Sequence, residues 1–298
     1  MKKIKVNMHL TEACNYKCKH CFAKFEDHIN LDEEQWKQII DNVVSSGLVH
    51  EINFAGGEPT LLPYLPELAE YVNSKGLTCT LITNGSRMDD VWIRKNAGFF
   101  RTIGISVDSF SDEISTAIGR CDCHGNVQSA EKISNIIFKI KYYHPEVKIK
   151  LNTVVNALNK NEILALFLKR NNIPVDRWKI LKMSYFNDGC HENSALVISD
   201  YEYDKFIRNN LSVLGISDVS YVRNNAERFE LKNGMEIIAE KELKGSYFMI
   251  DAGGYIVDDT SNDSYRRVGE RLTDMSFIEA LSDLPINLDV YNARYKIA

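Results

Sequence analysis

Short apolar runs and amphipathic stretches alternate along the first 185 residues. Every second position from Ile4 to Leu10 is apolar, which predicts a strand that ends just before the first cysteine. Behind Asp32, a candidate N-cap, apolar residues recur at helical spacing from Trp36 to Val44 and predict a helix. The order then repeats, with strands predicted at 51–54, 77–83, 102–106, 147–155 and 178–184 and helices near 64–75, 89–97, 126–143 and 159–171.

This order predicts an α/β fold. About six β/α units are typical of a parallel sheet with helical crossovers, and they are too few for a closed eight-stranded barrel. An open, partial (β/α)6 barrel of the TIM type and a doubly wound sheet both satisfy the pattern, and functional groups gather at the carboxyl ends of the strands in either one. From residue 187 the alternation weakens to a helix near 200–213 and two short strands around Gly253-Gly254. We therefore predict a partial barrel over 1–185 and a C-terminal extension over 186–298 that closes the barrel mouth and the substrate site.

Composition narrows the class of protein. The 298 residues are 44% hydrophobic, which is enough for a sizeable core and argues against disorder. The net charge of -5 disfavours an extended nucleic-acid surface but permits a small polyanion held by a few focused cations. The sequence shows neither a signal segment nor an apolar run of membrane-spanning length, so we expect a soluble, cytoplasmic protein without a membrane partner.

Three of the seven cysteines form the pattern C-x3-C-x2-C on the loop after the first strand. Cys14, Cys18 and Cys21 can ligate three corners of a 4Fe–4S cluster and leave one iron open. Three buried free thiols are one alternative. A zinc site is the other, and it would need a fourth ligand, for which the candidates are His9, His20 and His28.

The cysteine spacing on this loop resembles the defining motif of the radical S-adenosylmethionine (SAM) enzymes. The resemblance implies two cofactors, a 4Fe–4S cluster and SAM, which together release a 5′-deoxyadenosyl radical. It also implies SAM contacts at the ends of the second, third and fourth strands, namely at Gly56, Gly57, Glu58, Asn84, Ser106, Asp108 and Arg120. Taken singly, these residues are turn or cap signals. We expect a β-branched residue at Gly57 to obstruct SAM and to leave the fold intact.

Further runs resemble the viperin-like enzymes, which convert a ribonucleoside triphosphate into its 3′-deoxy-3′,4′-didehydro analogue. They span most of the chain and lie at 14–18, 52–59, 108–110, 118–120, 148–152, 177–179 and 246–251. The resemblance implies CTP, UTP or GTP as substrate, an electron donor such as a flavodoxin or ferredoxin, and a role in antiviral defence. It places Tyr247 near the ribose as the catalytic residue. It implies substrate contacts at Asn7, Lys150, Asn152, Arg177, Lys179 and Arg294.

Strand periodicity supports part of this substrate site. Lys150 and Asn152 share one face of the fifth strand, and Arg177 and Lys179 share one face of the sixth. Cations that point into a barrel are costly without an anion, so a triphosphate is their natural partner. The alternative is that both faces point outward and the charges are solvated.

Two other functions remain open at this level. One is a radical SAM enzyme that acts on another anionic metabolite or on a peptide, and the other is a non-catalytic zinc protein with a nucleotide-binding barrel. Of the other cysteines, Cys79 lies in an apolar strand and is predicted to be core. A second cluster on the remaining three lacks a convincing ligand set, so we expect unmodified thiols at Cys121, Cys123 and Cys190.

Overall fold

The computed structural model describes residues 4–21, 30–185, 193–216, 226–241, 245, 247–260, 266–285 and 291. Within them the chain forms eleven strands and eight α-helices. The strands are β1 (Ile4–His9), β2 (Val49–Ala55), β3 (Thr78–Thr83), β4 (Thr102–Ser106), β5 (Lys148–Val155), β6 (Arg177–Lys182), β7 (Ala226–Glu230), β8 (Glu236–Glu240), β9 (Phe248–Ile250), β10 (Ile256–Asp258) and β11 (Arg266–Val268). The helices are α1 (Glu33–Ser45), α2 (Leu65–Ser74), α3 (Asp90–Asn96), α4 (Asp112–Ile118), α5 (Ala130–Tyr143), α6 (Leu164–Arg170), α7 (Asp200–Val213) and α8 (Phe277–Ser282).

These strands belong to one sheet, in the order β11-β10-β9-β1-β2-β3-β4-β5-β6-β8-β7. Neighbours from β9 to β8 are all parallel, and only β10, β11 and β7 join antiparallel. Within the described residues the sheet has edges at β11 and β7, so it does not close on itself. The predicted α/β fold with an open, partial barrel is therefore confirmed, and β1 to β6 agree with their predicted bounds to within two residues.

The two faces of the barrel strands differ in chemistry. On β1, Val6 and Met8 are fully buried in the apolar core with Trp36 of α1. Lys5 and Asn7 lie on the opposite face and are only partly buried. The same alternation runs along β5, because successive side chains of a strand point to opposite sides of the sheet. The outer face thus packs under the helices, and the inner face forms a polar barrel interior.

Local capping explains where the helices begin. The Asp32 carboxylate accepts a hydrogen bond from the backbone N–H of Gln35, and the Gln35 side-chain oxygen accepts one from the backbone N–H of Asp32, which closes a capping box before α1. Helix α4 was not predicted from the sequence because it buries only Ser115 and Ile118, so its apolar period is weak. Ser111 caps its start, and Gly119 ends it with a φ of 84°.

Strands from beyond residue 185 lie at both edges of the barrel. Strand β8 runs parallel to β6, and β9 runs parallel to β1. The sequence predicted α7, β9 and β10 but not β7, β8, β11 or α8. The division of the chain at residue 185 stays a prediction. Among the described helices, none combines the length and the apolar character needed to cross a membrane.

Candidate active site

The loop after β1 carries the three cysteines of the predicted cluster motif. The backbone N–H of Tyr16 points to the Cys14 sulfur at 3.4 Å, and the backbone N–H of Cys21 bonds to the Cys18 carbonyl at 3.2 Å. Burial raises the pKa of the Cys18 thiol to about 12, and the nearby thiols of Cys21 and Cys14 act in the same direction. Three thiols on one loop that interact electrostatically fit the donor set of a 4Fe–4S cluster, in which each thiolate binds its own iron. In the part of the chain that the structure describes, no three His, Cys, Asp or Glu side chains converge as ligands of a single metal ion.

Gly57 and the residue after it hold one side of the cysteine loop through backbone hydrogen bonds. The backbone N–H of Gly57 donates to the Thr11 carbonyl at 2.6 Å, and that of Glu58 donates to the Ala13 carbonyl at 2.8 Å. A Cβ at position 57 would lie 2.2 Å from the Ala13 carbonyl oxygen, which is far inside van der Waals contact. The expectation that a β-branched residue at position 57 would leave the fold intact is therefore wrong, because that residue would collide with the cysteine loop itself.

Gly119 supports the other side of the same loop. A Cβ at this position would lie 2.4 Å from the Lys17 carbonyl oxygen. The backbone N–H of Lys19 donates to the Ile118 carbonyl at 2.9 Å, so the end of α4 is bonded directly to the segment between the second and third cysteines. The cysteine loop is thus held between the end of β2 and the end of α4.

Glu58, a predicted SAM contact, is almost fully buried among donors of the protein. Its carboxylate accepts hydrogen bonds from Thr60 (backbone and hydroxyl), from the Thr83 hydroxyl at 2.6 Å and from the backbone N–H of Asn84 at 2.7 Å. Burial raises the pKa of this carboxyl. Asn84 in turn donates from its side chain to Asn15 on the cysteine loop at 3.0 Å. Glu58 therefore connects the ends of β2 and β3 and orients Asn84.

Asp108 and Arg120 form a buried ion pair beside the cluster motif. The Arg120 Nε donates to Asp108 Oδ2 at 2.6 Å, and the other Asp108 oxygen accepts the backbone N–H of Val154 at 2.8 Å. The His20 Nε2 lies 3.3 Å from the same Asp108 carboxylate and 3.4 Å from Arg120. The charges of Asp108 and of Cys18 raise the pKa of Arg120 against the effect of burial, so the guanidinium is a fixed positive charge next to the cysteine loop.

The structure thus brings most of the predicted SAM residues against the cysteine loop. The backbone around Gly56 contacts Thr11, and Asn84, Asp108 and Arg120 reach the loop through the bonds described above. Ser106 lies at the carboxyl end of β4, where it pairs in register with Asn152 of β5. It therefore stands between the cofactor side and the predicted substrate side of the barrel.

The predicted substrate residues of β5 and β6 lie directly opposite one another. Lys150 pairs in register with Arg177, and Asn152 pairs with Lys179. The prediction that the two pairs share one face of adjacent strands is therefore correct. Asn7, on the same inner face, accepts a hydrogen bond from Asn53 at 3.0 Å and donates to the Phe248 carbonyl at 3.4 Å.

Three cations on the barrel strands pair with carboxylates, and Lys150 differs from them. Lys5 pairs with Glu51, Arg177 pairs with Glu236 at 2.6 Å, and Lys179 pairs with Glu240 at 2.9 Å. Lys150 takes part in no ion pair or hydrogen bond with the described residues. Burial and the neighbouring charges of Lys179, Lys5 and Arg177 hold the pKa of Lys150 well below its usual range, and Glu240 opposes them only weakly.

Tyr247, the predicted catalytic residue, contacts the ammonium of Lys179. The Lys179 ammonium donates to the Tyr247 hydroxyl oxygen at 2.8 Å and lies 5.2 Å from the centre of the ring. Three residues named in the sequence analysis lie outside the described residues: Arg294, Cys190 and His28. Cys79 is fully buried, as predicted.

Sequence reasoning missed the acidic partners of the cations. Glu236 and Glu240 lie on β8, a strand that the sequence pattern did not reveal. Their even spacing around an apolar Ile-Ile-Ala run was the one available signal that they share a face. Lys5 and Glu51 are on predicted strands, but their pairing depends on the register between β1 and β2.

Comparison with known proteins identifies the family. The profile described as "Radical SAM superfamily" matches residues 8–168. The chain is 36% identical to the S-adenosylmethionine-dependent nucleotide dehydratase of Selenomonas ruminantium, with 91% of each chain covered. It is 30% identical to the protein of the same name from Psychrobacter lutiphocae, covering 100% of this chain and 96% of that relative.

A solved structure shows the same fold. It is titled native anSMEcpe with bound AdoMet and Cp18Cys peptide, and it matches with a TM-score of 0.66 at 19% identity, covering 93% of this chain and 79% of that one. At this level of identity the likeness concerns the fold alone. The cysteine loop, the glycine contacts that support it and the family match agree with one another: this chain belongs to the radical SAM superfamily, whose cofactors are a 4Fe–4S cluster and SAM, and within it to the family of S-adenosylmethionine-dependent nucleotide dehydratases.

Proposed function

We propose that this enzyme converts a ribonucleoside triphosphate (CTP, UTP or GTP) into its 3′-deoxy-3′,4′-didehydro analogue. The names of its relatives support a nucleotide substrate. The single observation that supports a triphosphate is the Lys150 ammonium, which lies in the barrel interior near three other cations and forms no ion pair with a carboxylate of the described residues. A charged group in this position is costly unless an anion completes its environment.

The bound cofactors supply the chemistry that removes the ribose 4′ hydrogen. The remaining change is loss of the 3′ hydroxyl as water, which consumes one proton and one electron and leaves the 3′,4′ double bond. The protein's own residues bind and orient the nucleotide for this change. Lys150 and Arg177 hold phosphate oxygens, Asn152 and the Asn7–Asn53 pair face the nucleoside, and Tyr247 lies near the ribose.

The cofactor and substrate groups are arranged in a sequence along the strands. Cys14 to Cys21 follow the carboxyl end of β1, and Ser106 ends β4. Lys150 is two positions before Asn152 on β5, farther from that end. We place the triphosphate deep in the barrel at Lys150 and the ribose nearer the cysteine loop, so that the 4′ hydrogen faces the cofactors.

Two parts of the proposal concern partners. The electrons come from a small redox protein such as a flavodoxin or ferredoxin, since the described residues contain one predicted cluster motif and the reaction needs an outside reductant.

The product lacks the 3′ hydroxyl that chain extension requires, which is the chemical basis for a role in antiviral defence. We place the enzyme in the cytoplasm, where both nucleotides and low-potential donors are found.

Product analysis tests the proposal. The reconstituted enzyme is incubated without oxygen with SAM, dithionite and each of CTP, UTP, GTP and ATP, and the nucleotides are examined by mass spectrometry. We expect one of the first three to yield a triphosphate lighter by one water, together with 5′-deoxyadenosine. If 5′-deoxyadenosine forms only with another anionic metabolite or a peptide, the nucleotide proposal is overturned and the alternative takes its place.

A further inference from the structure

The Lys179 ammonium lies between a carboxylate and a phenol. Its nitrogen is 2.9 Å from the Glu240 Oε2 and 2.8 Å from the Tyr247 hydroxyl oxygen. The Glu240 residue is only 2% exposed, at the end of β8. Neither the predicted substrate contacts nor the predicted catalytic residue included this glutamate.

The backbone at Glu240 is fixed as firmly as its side chain. The Tyr203 hydroxyl, which is fully buried in α7, donates to the Ile180 carbonyl of β6 at 2.8 Å and lies 3.2 Å from the Glu240 carbonyl oxygen. Tyr203 therefore joins β6 and β8 one residue away from Lys179. Tyr203 thus holds the backbone from which the buried Glu240 carboxylate reaches Lys179.

The direction of the hydrogen bond to Tyr247 follows from the chemistry of lysine. An ammonium group has three donors and no acceptor, so the Tyr247 oxygen accepts from Lys179. The hydrogen of the tyrosine hydroxyl must then point away from Lys179. Loss of Glu240 would remove the carboxylate 2.9 Å from the ammonium and so loosen the flexible lysine stem that imposes this orientation.

We infer that Glu240 is a positioning residue for the reaction. It holds Lys179 as the donor to Tyr247 and so fixes the direction in which the tyrosine hydroxyl presents its hydrogen to the ribose. The inference rests on the proposed function, in which Tyr247 faces the ribose and a hydroxyl must depart with a proton.

The negative charge of Glu240 weakens triphosphate binding, and this effect distinguishes a positioning role from a purely structural one. The Glu240 carboxylate is a negative charge in the interior that also holds Lys150 and Lys179, and its field acts on Lys150. A carboxylate there repels a triphosphate. A residue that served only to bind a triphosphate would not be acidic. Removing the charge of Glu240 should therefore raise the affinity for the triphosphate and lower the rate of turnover.

Glu240→Gln is the test, because the amide keeps the shape and an acceptor oxygen but loses the charge. We expect NTP to bind about threefold more tightly or better, because a buried negative charge is removed from the interior that takes the triphosphate. We expect kcat to fall about tenfold, because a charge-assisted hydrogen bond is replaced by a weaker one to a neutral amide, which holds the Lys179 ammonium less firmly. The yield of dehydrated product per 5′-deoxyadenosine should fall as well, since the substrate radical forms but the hydroxyl departs poorly.

Tyr247→Phe and the double variant sharpen the test. Phe should reproduce the loss of yield, and the double variant should be no worse than Tyr247→Phe alone, because both changes act through one hydroxyl. Glu202→Gln is the matched control. It also removes a glutamate from a lysine pair, but its partner Lys160 lies beyond the end of β5 and the pair is partly solvent-accessible, so its kinetics should equal those of the parent.

The outcomes divide clearly. If Glu240→Gln weakens NTP binding together with kcat, or if the double variant loses the product of both effects, the inference is overturned while the proposed function stands. If the parent enzyme dehydrates no NTP, the proposed function fails and takes the inference with it. If Gln at 240 prevents folding, as judged by circular dichroism, Glu240→Asp decides: it keeps the charge but shortens the reach, so NTP affinity should be unchanged and kcat lower, and an unchanged kcat overturns the inference.

Discussion

The rim that carries the cysteine loop and the interior that carries the cations are built in opposite ways. At the rim, polar side chains complete one another: Glu58 takes four hydrogen bonds from its neighbours, and Asp108 is shared by Arg120 and a backbone N–H. In the interior, Lys150 has no such partner within the part of the chain that the structure describes. The protein thus organises its cysteine loop through its own bonds, whereas under the proposed function the triphosphate supplies the anion that faces Lys150.

The largest effect is expected at the cysteine loop. Replacement of Cys14, Cys18 or Cys21 by Ala should abolish iron binding and SAM cleavage, because three thiolates leave no spare ligand. Iron and sulfide content after anaerobic reconstitution measure the loss. Cys123→Ala is the control, since this thiol is exposed. Full iron content in all three variants would contradict the ligand assignment.

Gly57→Val tests whether the rim is held by backbone contact. The added Cβ would fall 2.2 Å from the Ala13 carbonyl oxygen, so the cysteine loop must move. We expect a loss of at least several kcal/mol in the free energy of unfolding, as in severe overpacking, together with poor iron retention. Gly234→Ala is the control, because its Cβ meets no atom within 4 Å and only the positive φ of 83° opposes it, at about 1–2 kcal/mol.

If Gly57→Val retained both its iron and its stability in denaturant titration, the rim would be more adaptable than the contacts indicate. The contrast between a preorganised rim and an incomplete interior would then be weakened. SAM binding, measured separately, would show whether position 57 acts on the cofactor without acting on the loop.

Lys150→Ala tests the interior. A charge-assisted contact to phosphate contributes about 1.5–3 kcal/mol, so NTP binding should weaken roughly ten- to hundredfold. Binding of the bare nucleoside should change little, and SAM affinity should stay constant because SAM carries no phosphate. Lys148→Ala removes the same charge from the exposed start of the same strand and serves as the control. Equal NTP affinity in both variants would place the triphosphate elsewhere.

The smallest effect concerns pH. The pKa of Lys150 in the folded, ligand-free protein lies well below its usual 10.5, so the unfolded chain binds more protons in that interval. The free energy of unfolding of the parent relative to Lys150→Met should therefore rise as pH increases from the lowered pKa towards 10.5. Denaturant titrations at several pH values measure this difference. A flat or falling difference would show that Lys150 is already paired without substrate.

Much of the barrel could be read from local sequence. Strands β1 to β6 have apolar outer faces that must be buried, and this requirement produces a period that survives in the sequence. Strand β8 lacks this sign because it is a short, mostly buried run, and a run of that kind has no distinctive period. Because the sequence pattern did not predict β8, its two glutamates could not be assigned to the barrel interior.

The sequence by itself determined the cysteine spacing, the glycines at the end of β2 and which residues share a face: Lys150 with Asn152 on β5 and Arg177 with Lys179 on β6. These are matters of order along the chain and of the two-residue period of a strand. The tertiary structure alone decided which charges are neutralised: Lys179 by Glu240, Arg177 by Glu236 and Lys150 by no described residue. The physical reason is that ion pairing depends on the register of neighbouring strands and on burial, and both are set by contacts between residues far apart in the chain.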